Sequence, residues 1–125
     1  MLFRSSGTNA TAPLGAYSAS KAAALMLVRQ MALEWGPDGI RVNALSPGLT
    51  ETPGTASVYA QPNAREQRES RIPLRRVARA EDMSNALSFL IGPDAAYVNG
   101  IDLLVDGGLS QTLMGSLNMT SWHKA

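Results

Sequence analysis

Between Tyr17 and Trp35 the residues Ala22, Leu25, Met26, Val28, Ala32, Leu33 and Trp35 recur at helical spacing, and Gly36-Pro37-Asp38-Gly39 stops the run firmly. Ile40-Arg41-Val42-Asn43-Ala44-Leu45 follows at once. It alternates and is bounded by Pro47-Gly48, which predicts a short strand over 40–45. Helix, tight turn and strand in that order form the frame into which the rest of the chain must fit.

On either side of this frame the pattern is plainer. Leu2 to Ser6 reads as the end of a strand, and Gly7 to Gly15 as a loop rich in Thr, Ala and Pro. Thr50 to Ile72 is polar and carries Pro53, Gly54 and Pro62, with an Arg/Glu-rich stretch from Arg65 to Arg71 that predicts a short mobile helix. A connection of this length in a compact domain is usually a lid or a binding segment. Ala80-Glu81-Asp82 puts acidic residues at a helix start, and an apolar stripe from Met83 to Ile91 runs on to Gly92-Pro93. Ile101 to Val105 is the last strand. No internal repeat and no second domain is visible.

Tyr17 and Lys21 stand four residues apart at the start of the long helix. That spacing lays both side chains on one helix face, near enough for the lysine charge to lower the proton affinity of the phenol. Free tyrosine titrates near ~10, so a neighbouring cation is what would let it trade protons at physiological pH. Taken alone the pair is a weak signal, because the same offset recurs by chance in surface helices.

The surroundings make it specific. Ser5-Ser6-Gly7 lies upstream, Arg41-Val42-Asn43-Ala44-Leu45-Ser46-Pro47-Gly48 downstream, and Leu104-Val105-Asp106-Gly107-Gly108 near the end. In this order the motifs resemble the short-chain dehydrogenase/reductase family, over most of the chain from Ser5 to Gly108. The resemblance implies an NAD(P)-dependent oxidoreductase that interconverts an alcohol and a carbonyl, with NAD or NADP as cofactor. In that family the tyrosine moves the proton, the lysine lowers the tyrosine's pKa and binds the nicotinamide ribose, and a serine steadies the substrate oxygen. Carried over, these are Tyr17, Lys21 and Ser6, with Ser5 the alternative serine because the loop from Ser6 to Tyr17 is shorter than usual. Pro47-Gly48 and the following Leu49-Thr50-Glu51-Thr52 resemble the turn lining the nicotinamide carboxamide, where Thr50 would use its backbone and Thr52 its hydroxyl. Arg75-Arg76 stands where the family has Pro-Leu-Gly-Arg, which gives Arg76 a structural role.

Other family motifs do not occur in this sequence. There is no Gly-x-x-x-Gly-x-Gly run to cradle a pyrophosphate at a helix N-terminus, and no Asn-Asn-Ala-Gly segment. The match therefore corresponds to the C-terminal catalytic half of a family member over residues 1–125. The implied fold class is α/β, a partial Rossmann-like doubly wound parallel sheet made of the last three strands and their helices, with the N-terminal dinucleotide-binding half absent. NAD cannot be told from NADP, since the discriminating residue belongs to that half. The substrate is equally unread, because the segment from Thr50 to Ile72 would tune it.

Charge and composition exclude several classes. Hydrophobic residues make up 45%, no run is long enough to span a bilayer, and cysteine is absent, so a disulfide framework or thiolate metal site is ruled out. A cytoplasmic protein is expected. A net charge of +1 argues against a general nucleic-acid or membrane-surface role. Arg65, Arg68, Arg71, Arg75, Arg76 and Arg79 cluster, but Glu66, Glu69, Glu81 and Asp82 interleave with them, which favours a solvated lid over a phosphate or nucleic-acid site. His123 is the single histidine and has no visible co-ligands, so no metal site is expected. The tail from Leu109 to Trp122 is apolar enough to pack near a substrate cleft or a neighbouring subunit.

Two further expectations follow. A strand near Leu2 to Ser6 lacking its inner neighbour leaves an open sheet edge, and the long helix is apolar over much of its circumference. A homo-oligomer, or pairing with a full-length relative, is expected. The alternative to an enzyme is a non-catalytic remnant or interaction fragment that pairs with such a relative.

Overall fold

The computed structural model describes Ala12 and residues 15–112. Helix α1 spans Ala16–Trp35 and gives way to a 3-10 turn at Gly36–Asp38, where Gly39 takes a left-handed conformation and its N–H closes onto the Gly36 carbonyl. Strand β1 is Ala44–Pro47, and α2 (Ala56–Tyr59) and α3 (Ala64–Glu69) follow it. Helix α4 (Ala80–Ile91) then leads to β2 (Asp102–Val105) and a last 3-10 turn at Leu109–Gln111. The strands pair in parallel, Ala44 opposite Asp102 through Pro47 opposite Val105. The architecture is α/β with a two-stranded parallel sheet among the described residues. The expected strand over Leu2 to Ser6 lies outside them.

The first strand differs from its expected range. Residues 41–43 are not part of the ladder because their polar groups are engaged elsewhere. Arg41 donates through Nη1 to the carbonyls of Leu90 (2.8 Å) and Val98 (3.3 Å), and through Nη2 to Gly92 (3.4 Å). Leu90 and Gly92 stand at the end of α4, so Arg41 acts as its C-terminal cap. Asn43 donates to the Val98 carbonyl and accepts from the Ile101 N–H. The Asn99 side chain accepts from Val42 N–H (2.8 Å) and donates to the Ala32 carbonyl (3.0 Å), tying α1 to the same corner. Arg41-Val42-Asn43 is thus the joint between α1, α4 and the entry to β2.

Pro47 belongs to β1 itself, although it was expected to open the turn. It has no N–H, and the ladder continues through Gly48, whose N–H bonds the Val105 carbonyl at 2.9 Å. A side chain at Gly48 has no room, since a Cβ there would lie 2.6 Å from both Cα and Cβ of Asp106. Asp106 is buried and accepts from the N–H groups of Gly108 and Ser110, which fixes the turn after β2.

Among the described residues the buried apolar ones are few and mostly small: Ala32, Ala64, Ile72, Val77, Leu90 and Ala95. Ala64 opens α3, Leu90 stands near the end of α4 and Ala95 lies in the turn just after it. Ala32 alone is buried on α1, while Met26, Leu27 and Leu33 are exposed.

Candidate active site

Helix α1 positions Tyr17 and Lys21 one turn apart. The Lys21 ammonium lies over the Tyr17 ring, 5.3 Å from its centroid. The Tyr17 hydroxyl is buried and has no hydrogen-bond partner among the described residues, and the neighbouring Ser18 hydroxyl is in the same state. Lys21 has no carboxylate partner among the described residues. An unpartnered buried hydroxyl costs free energy, of order 1–3 kcal/mol, and such groups cluster where a ligand completes them.

Lys21, Ala24, Leu25 and Val28 of α1 face Asn43 to Ser46 across a cavity of about 330 Å³. Ser46 is buried at its wall and donates to the Asp102 carboxylate at 2.6 Å. A second cavity, about 290 Å³, opens at the end of β1 and is lined by Pro47, Gly48, Thr50, Thr52, Thr55, Ala80 and Met83. The structure therefore groups Tyr17 with Lys21, and separately groups Pro47, Gly48, Thr50 and Thr52. Lys21 lines the first of these cavities, and Pro47, Gly48, Thr50 and Thr52 line the second. Ser5 and Ser6 lie outside the described residues, as does His123.

Thr55, which sequence reasoning passed over, organises the second group. Its hydroxyl donates to the Thr50 carbonyl (3.1 Å) and accepts from Thr52 N–H (2.8 Å), and it lies 3.2 Å from the Thr52 hydroxyl. Thr52 and Thr55 form a capping box around Pro53-Gly54, a spacing legible in the sequence as Thr-x-x-Thr before a helix. Thr50 is further held by a parallel bridge to Ala78, in which Glu51 donates to the Ala78 carbonyl and Ala78 to that of Leu49. Among the described residues the Thr50 N–H has no acceptor of its own.

Two of the arginines between Arg65 and Arg79 are paired with carboxylates. Arg65 pairs with Glu51 (2.7 Å) and Glu69 (3.4 Å), and Arg76 grips Asp82 with both terminal nitrogens at 2.6 and 2.8 Å. That grip, with a further hydrogen bond from Arg79 N–H, holds the Asp82 carboxyl well below the usual carboxylate range. Arg76 thus has the structural role expected of it. The guanidiniums of Arg65 and Arg68 lie 5.3 and 5.6 Å from the centroid of the Tyr59 ring. Burial pushes its phenol up, and the two cations pull against that.

The family model described as enoyl-(acyl carrier protein) reductase matches residues 3–110. A 3beta-hydroxysteroid dehydrogenase from Eggerthella lenta is 45% identical over 94 residues, covering 75% of this chain and 36% of that protein. Among solved structures, 4-hydroxyisoleucine dehydrogenase complexed with NADH superposes with a TM-score of 0.80 at 32% identity, covering 86% of this chain and 44% of that one. A gluconate 5-dehydrogenase from Burkholderia cenocepacia in complex with NADP and tartrate gives 0.76 at 30% identity, covering 85% and 42%. The chain belongs to the short-chain dehydrogenase/reductase family. It spans little more than a third of the length of the curated relatives it matches. No helix among the described residues is long and apolar enough to cross a membrane.

Proposed function

We propose that this chain supplies the catalytic half of an NAD(P)-dependent oxidoreductase that interconverts an alcohol and a carbonyl. The observation carrying this reading is the buried Tyr17 hydroxyl, unpartnered among the described residues, beside a Lys21 ammonium that has no carboxylate partner among them. When bound, NAD or NADP supplies or accepts the hydride. Tyr17 gives its hydroxyl proton to the substrate oxygen during reduction and recovers it during oxidation. Lys21 keeps positive charge beside that oxygen and offers donors to the ribose hydroxyls. The Thr50 N–H and the Thr52 hydroxyl hold the carboxamide end, in a turn made rigid by Thr55 and Ala78. Ser6, with Ser5 as the alternative, anchors the substrate oxygen in this reading.

The pyrophosphate cradle is supplied from outside these 125 residues, since no glycine-rich run of that kind occurs in them. The setting is cytoplasmic. Exposed Met26, Leu27 and Leu33 on α1 favour pairing with a second copy or a full-length relative, and a purely structural interaction fragment is the second reading.

The two readings part in one experiment. NAD(P)H-dependent carbonyl reduction is measured for the chain alone and for the chain fused behind the nucleotide-binding half of a relative. Turnover is expected in the fusion, with little or none in the chain alone, and its loss on Tyr17→Phe. A fusion that binds cofactor but never turns over supports the interaction fragment.

A further inference from the structure

The arginines between Arg65 and Arg79 alternate with acids in sequence, which suggests mutual compensation along the whole run. The structure divides them. Arg65 is taken by Glu51 and Glu69, Arg76 by Asp82, and Arg75 donates to the Ser70 carbonyl at 2.6 Å. Arg68 and Arg71 have no carboxylate partner among the described residues. With Gln67, Leu49 and Leu109 they line a cavity of about 300 Å³.

Arg68 is preset for binding. Its Nη1 donates to the Ala64 carbonyl at 2.7 Å, and its guanidinium lies 5.6 Å from the Tyr59 ring centroid. A guanidinium held in place loses less side-chain freedom when it meets an anion, and its planar fork matches a carboxylate. Arg71 is exposed and brings a second cation to the same space. The rest of the lining is two leucines and an amide. Two cations, one of them held in place, beside an apolar surface suit a molecule with a carboxylate at one end and hydrocarbon at the other. A bare phosphate has no use for the leucines.

We infer that this cavity binds the carboxylate of an apolar organic acid, held by Arg68 and Arg71 with its hydrocarbon against Leu49 and Leu109. Leu49 lies between Gly48 and Thr50 of the nicotinamide-side turn. Resting on the oxidoreductase reading, the acid is the far end of the substrate itself, a hydroxy acid or oxo acid.

Titration calorimetry of the full chain with hexanoate, and separately with the uncharged hexanamide, tests this. Hexanoate is expected to bind at least about tenfold more tightly than hexanamide. Arg68→Gln and Arg71→Gln are each expected to weaken hexanoate about tenfold while leaving hexanamide unchanged. The Arg71 side chain makes no hydrogen bond or ion pair among the described residues, so an unaltered unfolding midpoint for Arg71→Gln keeps the comparison free of folding effects. Equal binding of the two probes overturns the proposal. So does an equal loss on Arg29→Gln, a distant substitution on α1, or inorganic phosphate binding as tightly as hexanoate. The titration needs neither cofactor nor Tyr17, so its failure removes the acid site and leaves the oxidoreductase reading standing. Undiminished turnover in Tyr17→Phe does the reverse.

Discussion

The Lys21 ammonium stands 5.3 Å from the centroid of the Tyr17 ring, one turn further along the same helix. A cation over an aromatic face is attracted by the ring's quadrupole, which fixes the lysine without consuming its hydrogen-bond donors. Those donors remain available to a ligand, as does the Tyr17 hydroxyl. Both groups are thus ordered and chemically unspent, a combination that costs stability in the free protein and favours a bound partner.

Tyr17→Phe separates that cost from its benefit. In the fused enzyme it is expected to lower kcat at least about a hundredfold while cofactor binding stays within a few-fold. In the chain alone it is expected to leave the unfolding midpoint unchanged or raise it, because the hydroxyl removed has no partner among the described residues. Lys21→Ala is expected to damage both turnover and cofactor binding. Steady-state rates, direct cofactor titration and urea unfolding check the set.

Gly48→Ala tests the close crossing of the two strands. The added Cβ would sit 2.6 Å from the Asp106 backbone, so β1 and the turn after β2 must separate. A loss of about 1–3 kcal/mol is expected, read as a lower urea midpoint at unchanged slope. A midpoint equal to that of the parent would show that the strands are not packed this closely.

Acid sensitivity has an identifiable source in Asp82. Its folded pKa is depressed by Arg76 and by the Arg79 N–H, so the stabilisation is complete above the unfolded carboxylate value near ~3.9 and is lost as pH falls below it. Asp82→Asn is expected to lower the unfolding midpoint at neutral pH and to flatten its decline in acid. High salt should shrink the difference, since the pair is open to solvent. Thermal melts of parent and variant from neutral pH down into acid make the comparison.

Arg75 occupies the left-handed region with φ 55°, at the position where the resembling turn has glycine. Arg75→Val is expected to destabilise by about 1–2 kcal/mol, because a β-branched side chain crowds the backbone there. Arg75→Gly is expected to change stability far less. Equal effects of the two in chemical denaturation would show that the turn relaxes to accept any residue.

Leu33 is 75% exposed and Met26 58%, on a helix that buries Ala32 alone. Association is expected when the chain is concentrated, and Leu33→Glu or Met26→Glu should shift it towards monomer without lowering the helix signal. Size-exclusion chromatography with light scattering at micromolar concentration decides. A parent that is already a well-dispersed, cooperatively unfolding monomer would remove the argument for a partner on this face.

The sequence by itself determined the elements whose signals are local. The apolar period and the Gly-Pro-Asp-Gly stop delimit α1 to within a residue, the acidic start and Gly92-Pro93 delimit α4, and the four-residue offset puts Tyr17 and Lys21 on one face. Only the tertiary structure decided what depends on partners distant in sequence. Residues 40–43 alternate like a strand, yet Arg41 and Asn43 spend their side chains on α4 and the approach to β2, so the strand is Ala44–Pro47. A sequence pattern reports what a segment can do, whereas the ladder forms where hydrogen-bonding partners converge. The same holds for residues 65–79, where alternating charges looked compensated throughout and three-dimensional pairing left the guanidiniums of Arg68, Arg71, Arg75 and Arg79 without a carboxylate partner among the described residues. Charge neutrality along a chain is a property of composition. Which cation meets which carboxylate is set by the fold, because a salt bridge needs its atoms within about 4 Å.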